Sequence, residues 1–250
     1  GESGLLGIES TDNHVYLYYT KACYGHGWDE SSTKFSEYGS SNCNSFQFDK
    51  PHDKYSKNSL YQYDWDGEKL INPVLIKEFP ADNIDHAGGI IVANGDDEIY
   101  FVIGNQNFDR PESFLMYDSG EIIDKNLKTP DYVIATILKI DNTEKNIETF
   151  ATGIRNSFGL AIDPITGYLW DTENGPNGWD EINLVKKGFN SGWVAQMGPS
   201  SDPLNDFDTP YVMSGDFVYS DPEFSWTQSI GVTAISFPTI DSFSKFSDSL

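Results

Sequence analysis

The sequence predicts an all-β protein, and three observations lead to that class. Short runs of β-branched and aromatic residues, bounded by Gly, Asp, Asn and Pro, recur along the whole chain. These runs pair into hairpins, and the hairpins return at intervals of roughly 70 to 80 residues. Two hairpins per unit make a four-stranded sheet, and a radial stack of four-stranded sheets is a β-propeller.

The leading hairpin of each unit has a glycine-containing first strand, a polar turn and a second strand. The turns carry the Asp, Asn and Gly that short hairpin connections prefer. The three leading hairpins pair residues 4–8 with 12–18, residues 88–92 with 95–101, and residues 159–162 with 166–170.

Second hairpins are predicted to begin at 60–64 and 135–141, with a weaker candidate at 181–185. A fourth unit begins at 231–235, so about four blades are expected in a single partial domain spanning 1–250. The first unit lacks leading strands and the last is unfinished, which predicts a chain truncated at both ends. A β-sandwich or two small β domains is the alternative, but their strands would not recur as paired hairpins.

Residues 21–57 are rich in Ser, Gly, Asn and Tyr without a clear period, which predicts a surface insertion. Cys23 and Cys43 both lie in it. A disulfide between them would stabilise the fold by about 3 kcal/mol and would imply an extracytoplasmic compartment. Two unpaired thiols are the alternative. The spacing matches no zinc motif.

The chain is strongly acidic, with 16 Lys+Arg against 39 Asp+Glu and a net charge of −23. Nucleic acid and anionic membrane surfaces are excluded as partners because both would be repelled. No apolar run approaches the roughly 18 residues of a spanning helix, so membrane insertion is not expected. The aromatic content of 14% indicates a packed core despite the acidity.

Asp85 and His86 stand directly before a leading hairpin, where a blade connection would project towards the channel mouth. An imidazole is the natural general base near neutral pH, and a neighbouring carboxylate can fix its tautomer. The simpler interpretation, an exposed loop histidine, suits His14, His26 and His52 better.

Two further segments flank the third repeat. Arg155 is one of two arginines in the chain, and a guanidinium can polarise a carbonyl and stabilise a developing oxyanion. A structural arginine that ties blades together is the alternative. Residues 173–181 combine Gly and Pro carbonyls with acidic groups, which are hard oxygen ligands suited to Ca²⁺. Taken alone, this segment is an acidic turn.

Four strings together resemble the soluble glucose/sorbosone dehydrogenase family. They are GESGLLGI (1–8), DHAGGI (85–90), GIRNSFGLAIDPITGYLW (153–170) and ENGPNGWDEINLVKKGFNSGW (173–193). The match runs in order over about residues 1 to 237 and is most specific in the last two strings. The resemblance implies a six-bladed β-propeller that uses pyrroloquinoline quinone (PQQ) and calcium.

The resemblance also implies roles for particular residues. His86 matches the base that takes the proton from the anomeric hydroxyl of an aldose, Asp85 its neighbouring carboxylate, and Arg155 the arginine over the quinone carbonyl. The remaining matches are cofactor contacts at Asn156 and Trp226, calcium-binding carbonyls at Gly175 and Pro176, and residues around a second calcium at Asp180 and Glu181.

Some positions depart from the family pattern. Glu2 stands where some members have a glutamine at the substrate end of the pocket, and Ser157 replaces a proline. The family's lysine and paired arginines for the quinone carboxylates lie in later blades, so this fragment alone is not expected to bind PQQ tightly.

The resemblance implies oxidation of an aldose sugar at C1 to its lactone, with electrons passed to an external acceptor. It also implies a periplasmic or extracellular protein, and a homodimer is compatible with it. The alternatives are a propeller that serves as a non-catalytic binding module and, more weakly, a calcium-dependent lactonase. The retained Asp85–His86 and Arg155–Asn156 pairs favour the enzyme, because a binding module needs no base opposite an electrophile polariser.

Overall fold

The computed structural model describes residues 4–21, 57–80, 85–106, 134–142, 146–193, 196–201 and 217–238. All fourteen regular elements in these ranges are β-strands, as the sequence predicts. The described ranges hold no helix of the length and apolarity that crossing a bilayer requires. The strands form three sheets that stand side by side.

The first sheet is an antiparallel meander of β1 (Leu5–Ser10), β2 (Val15–Lys21), β3 (Lys57–Trp65) and β4 (Leu70–Pro80). Both predicted hairpins of the first unit are confirmed by the pairing of β1 with β2 and of β3 with β4. The predicted insertion at 21–57 lies almost wholly outside the described residues and stays a prediction, as does the pairing of Cys23 with Cys43.

The second sheet has the same meander followed by two added strands. It consists of β5 (Ile91–Asn94), β6 (Glu98–Ile103), β7 (Thr136–Asp141) and β8 (Asn146–Thr152). The strands β12 (Phe189–Asn190) and β13 (Val218–Tyr219) then extend it, with β12 parallel to both β8 and β13. The sequence pattern predicted four strands, and these two additions come from residues beyond the third leading hairpin.

The third sheet contains β9 (Ser157–Ile162), β10 (Leu169–Glu173), β11 (Asp180–Val185) and β14 (Phe224–Trp226). The expectation that residues 181–185 begin a hairpin is wrong, because the next strand along the chain, β12, joins the second sheet. The edge partner of β11 is β14 instead. Lys186 and Lys187 are exposed at the turn where the chain leaves the third sheet.

Residues 231–235, where a fourth unit was expected to begin, form no regular strand. They run along the first strand of the third sheet, with the backbone of Ala234 and Ile235 close against Gly159. Phe237 continues this contact through an edge-to-face arrangement with Trp170, at 6.2 Å between ring centroids. The described residues supply no second strand for this segment, so it packs against the sheet without joining a ladder.

Two apolar cores hold the three sheets together. Tyr18, Leu60 and Phe79 of the first sheet pack on Phe101 and Leu138 of the second, and all five are fully buried. The opposite face of the second sheet packs on the third through a separate cluster, which includes Tyr100, Val102, Ile137, Leu160 and Leu169. Because β6 is buried on both faces, its sequence is a nearly continuous apolar run, and hydrophobic alternation is absent there.

The leading strands β1, β5 and β9 lie next to one another in the described structure. The approach is close at Gly7 and Gly89, where a side chain on either residue would overlap the neighbouring strand. Gly89 also has φ +119°, a conformation that other residues rarely adopt. The contact between the first two blades therefore requires glycine at Gly7 and Gly89. Four-stranded meanders that pack face to face and meet through their leading strands are the arrangement of β-propeller blades.

Candidate active site

Four chain segments meet at one edge of the second and third sheets. They are residues 85–90 before β5, residues 104–106 after β6, the connection 153–156 between β8 and β9, and residues 174–179 after β10. Neighbouring antiparallel strands begin and end at the same edge, so the four segments are brought together although they are far apart in sequence.

Backbone hydrogen bonds join the segment after β6 to residues 85–90 and to the connection 153–156. The Asn105 amide donates to the Arg155 carbonyl at 2.8 Å, and the Gln106 amide donates to the His86 carbonyl at 3.3 Å. His86 and Gln106 have positive φ values of 54° and 50°. Such values are uncommon for residues other than glycine and persist where surrounding contacts fix the backbone.

The side chains of His86 and Arg155 meet directly. Arg155 Nη2 lies 3.3 Å from His86 Nε2, and His86 Nδ1 lies 2.6 Å from the Asn105 side-chain oxygen. Asp85, the carboxylate that the sequence predicts to fix the tautomer of this imidazole, is half-buried in the same loop, and its role stays a prediction. The pair of predicted residues is thus brought together with a third that the sequence analysis did not single out.

Arg155 makes further contacts through its side chain and its backbone amide. Nη1 donates to the Asn174 carbonyl at 2.7 Å, and the guanidinium carbon lies 5.3 Å from the centre of the Trp193 ring. The Arg155 amide donates to the Glu173 carboxylate, which also accepts from Ser191 Oγ at 2.6 Å. A cation stacked on an indole and bonded to a carbonyl is restricted to one orientation, so its charge is directed at the imidazole.

The other predicted site residues lie around this pair. Asn156 is buried, with 3% of its surface exposed, and its carbonyl accepts from the Asn174 amide at 3.0 Å. Gly175 is half-buried and Pro176 exposed on the loop after β10, while Trp226 is half-buried opposite Asp180 in the pairing of β11 with β14. Glu2 lies outside the described residues.

Asp180 connects the loop after β10 to the segment after β14. Its carboxylate accepts from the amides of Gly175 at 3.0 Å and of Ile230 and Gly231, each at 2.7 Å. Burial acts to raise the pKa of Asp180, but these amide hydrogen bonds outweigh it and hold the pKa below its usual value. In this arrangement Asp180 acts as a clamp on the loop that carries Gly175 and Pro176.

We expect Asp180→Ala to lower the free energy of unfolding by about 2–3 kcal/mol, because three amides lose their acceptor. Denaturant unfolding of the full-length protein measures this change. The exposed Asp12→Ala variant is the control and should unfold like the wild type. An unchanged midpoint for Asp180→Ala would contradict the clamp.

Three buried carboxylates lie behind Arg155, on β10 and β11. Asp171, Glu173 and Glu181 are each at most 1% exposed. Burial raises the pKa of Asp171 to about 6 and of Glu181 to about 7. Burial, followed by repulsion from Glu181 and Asp171, raises the pKa of Glu173 well above its usual value. Within the described ranges, no group of three or more His, Cys, Asp or Glu side chains is arranged to hold a metal.

The raised pKa of Asp171 predicts a pH dependence of stability. Its folded pKa of about 6 exceeds the ordinary value of an aspartate, so the folded state binds the proton more tightly than the unfolded chain. The resulting contribution to the free energy of unfolding is about 3 kcal/mol. It is fully present below pH about 4 and is lost as the pH rises through about 6.

Asp171→Asn should remove this loss of stability with rising pH, and the variant should be at least as stable as the wild type at pH about 7.5. The new amide also offers a donor to Asn183 Oδ1, a buried oxygen with no hydrogen-bond partner in the described structure. Thermal unfolding on either side of the Asp171 pKa, at pH about 5 and about 7.5, measures both effects, with Asp12→Asn as control. A variant destabilised at the higher pH, with EDTA lowering the stability of the wild type alone, would mean that a bound cation neutralises the cluster instead.

Comparison with known proteins gives one family for the whole chain. The family model described as Glucose / Sorbosone dehydrogenase matches residues 1–250. The aldose sugar dehydrogenase YliI of Escherichia coli K12 is 30% identical over 178 residues, which is 66% of this chain and 44% of that protein. Quinoprotein glucose dehydrogenase B of Acinetobacter calcoaceticus is 31% identical over 158 residues, or 57% of this chain and 33% of that protein. The matches thus span less than half of each relative.

Solved structures agree on the fold. A glucose dehydrogenase-like oxidoreductase from Thermus thermophilus has a TM-score of 0.64 at 23% identity, covering 96% of this chain and 62% of that one. The apo-form aldose sugar dehydrogenase of Escherichia coli has a TM-score of 0.63 at 19% identity, covering 98% and 64%. The PQQ-bound aldose sugar dehydrogenase of Streptomyces coelicolor has a TM-score of 0.56 at 21% identity, covering 91% and 55%.

Proposed function

Because this chain belongs to the glucose/sorbosone dehydrogenase family, we propose that it forms part of a sugar dehydrogenase that oxidises an aldose at C1 to the lactone. The proposal includes PQQ held by calcium as the hydride acceptor. The observation that carries it is the contact between His86 Nε2 and the Arg155 guanidinium. A base and a fixed cation at one point are what proton removal beside a developing negative charge requires.

The residues present fit the reactive end of the quinone. Arg155 supplies a charged donor and Asn156 a buried amide, while Gly175 and Pro176 offer carbonyl oxygens of the kind that Ca²⁺ prefers. These residues would hold the quinone carbonyls and the metal. When bound, PQQ accepts the hydride and calcium acts as a Lewis acid on its carbonyl.

His86 acts on the sugar in this proposal. Its Nε2 takes the proton of the anomeric hydroxyl, and the electrons of that O–H bond form the C=O bond of the lactone as hydride leaves C1. Arg155 stabilises negative charge that develops near the imidazole, and Trp193 and the Asn174 carbonyl keep it in place.

Asp180 and Glu181 belong to the proposal as residues near a second calcium, and Trp226 and Glu2 as contacts at the cofactor and substrate end. An external electron acceptor, a periplasmic or extracellular location and a homodimer are parts of the same proposal for the whole protein. The relatives named aldose sugar dehydrogenase and quinoprotein glucose dehydrogenase support it.

The test is reconstitution of the full-length protein with PQQ and calcium. Aldoses should then bleach a dye acceptor, and omission of PQQ, or of calcium by chelation, should abolish the reaction. Folded protein that binds PQQ but gives no sugar-dependent bleaching with any aldose would favour the non-catalytic propeller.

A further inference from the structure

Asn105 makes contact with both members of the His86–Arg155 pair. It follows β6, is fully buried, and donates its backbone amide to the Arg155 carbonyl at 2.8 Å. Its side-chain oxygen lies 2.6 Å from His86 Nδ1. One residue on the second sheet therefore sets the positions of two side chains that come from separate connections.

The direction of the hydrogen bonds follows from the chemistry of arginine. A guanidinium is a donor only, so the Nε2 atom that faces Arg155 must be the unprotonated acceptor. In neutral imidazole the proton then lies on Nδ1, and its partner must be an acceptor. The amide oxygen of Asn105 meets this requirement, whereas its NH₂ group would impose the opposite tautomer.

We propose that Asn105 is a positioning residue that holds His86 as the Nδ1–H tautomer, and that its neutral amide keeps Nε2 unprotonated, and so able to act as a base, towards acidic pH. The role as base rests on the proposed function; the tautomer does not. A carboxylate at this position would fix the same tautomer but would also stabilise the imidazolium ion. An amide at this position therefore fixes the orientation of the imidazole without placing a negative charge beside it.

The charged groups around the imidazole act in different directions. The Arg155 guanidinium at 3.3 Å disfavours imidazolium, and the adjacent Asp85 carboxylate favours it. On the third sheet, the Glu173 carboxylate contacts the pair by accepting from the Arg155 amide. Asn105→Asp places a new negative charge against Nδ1, so the pKa of His86 should rise by about one unit or more.

The experiment is an NMR titration of full-length protein with isotope-labelled histidine, without PQQ or sugar. His86→Gln assigns the signal. The wild type should give the shifts of the Nδ1–H tautomer near neutral pH, and Asn105→Asp should keep this tautomer while moving the titration midpoint up by about one pH unit. Asn94→Asp makes the same charge change at the exposed far end of β5 and should leave the midpoint unchanged.

Two results would overturn the proposal. An Nε2–H tautomer in the wild type would mean that Asn105 donates instead of accepting, and this measurement needs no variant to fold. An unchanged His86 midpoint in folded Asn105→Asp would remove the electrostatic role. In the reconstituted enzyme the acid limb of the kcat/KM profile should move by the same amount. If the tautomer is as expected but no aldose is oxidised, the proposed function fails and the positioning role stands.

Discussion

His86→Gln should lower kcat/KM for aldose oxidation by about 10² to 10⁴, the range that general bases contribute. Glutamine fills a similar space and can keep a contact with Asn105, but it has no atom that accepts a proton near neutral pH. Steady-state dye reduction by full-length, reconstituted protein measures the loss. PQQ binding should remain, because the imidazole is proposed to act on the sugar.

His14→Gln is the matched control. This histidine lies at the turn between β1 and β2, with Nδ1 3.1 Å from Asp64, and a partly exposed pair of this kind contributes little. Its activity should equal that of the wild type. Undiminished sugar oxidation by His86→Gln would remove His86 from the mechanism.

Arg155→Ala should slow reduction of bound PQQ by sugar by about 10² to 10³, the cost of losing one group that stabilises developing charge. The single-turnover rate with saturating sugar measures this step, and calcium titration of the same variant measures metal binding. We expect the rate to fall far more than the calcium affinity, because the proposed metal ligands are backbone carbonyls of other residues.

The alanine variant also removes the partner of the Asn174 carbonyl and the cation over Trp193, so part of its effect can be structural. Arg155→Lys keeps the charge but loses the planar fork and should recover only part of the rate. Lys187→Ala removes a cation that is 67% exposed and paired with Glu148, and it should be silent. Equal losses of rate and calcium affinity in Arg155→Ala would assign Arg155 a structural role.

Much of the architecture was predictable because hairpins are encoded locally. The turns at 11–14, 95–97 and 163–168 carry the Asp, Asn and Gly that reverse the chain, and the runs beside them became β1, β2, β5, β6, β9 and β10. The repeat glycines were also visible, but only the structure shows that Gly7 and Gly89 are required where the first two blades approach each other.

The site was predictable only in part. His86 and Arg155 stand out because their chemistry is rare in this chain and they flank the repeats. Asn105 follows the apolar run of β6 directly, and that change from apolar to polar was a usable signal, but a lone Asn after a strand more often belongs to a turn. Trp193 and Glu173 belong to the string at 173–193, but the sequence assigned them no role. Their contacts are with Arg155, which lies on the separate connection between β8 and β9.

The sequence by itself determined the strand class, the hairpin repeat, the acidic surface and the residue types able to do proton chemistry, because these depend on neighbours a few positions apart. Only the tertiary structure decided that β12 joins the second sheet, that β14 joins the third, and that Asn105 contacts both His86 and Arg155. Such pairings depend on which apolar faces pack together across many residues of chain, and no local pattern carries that information.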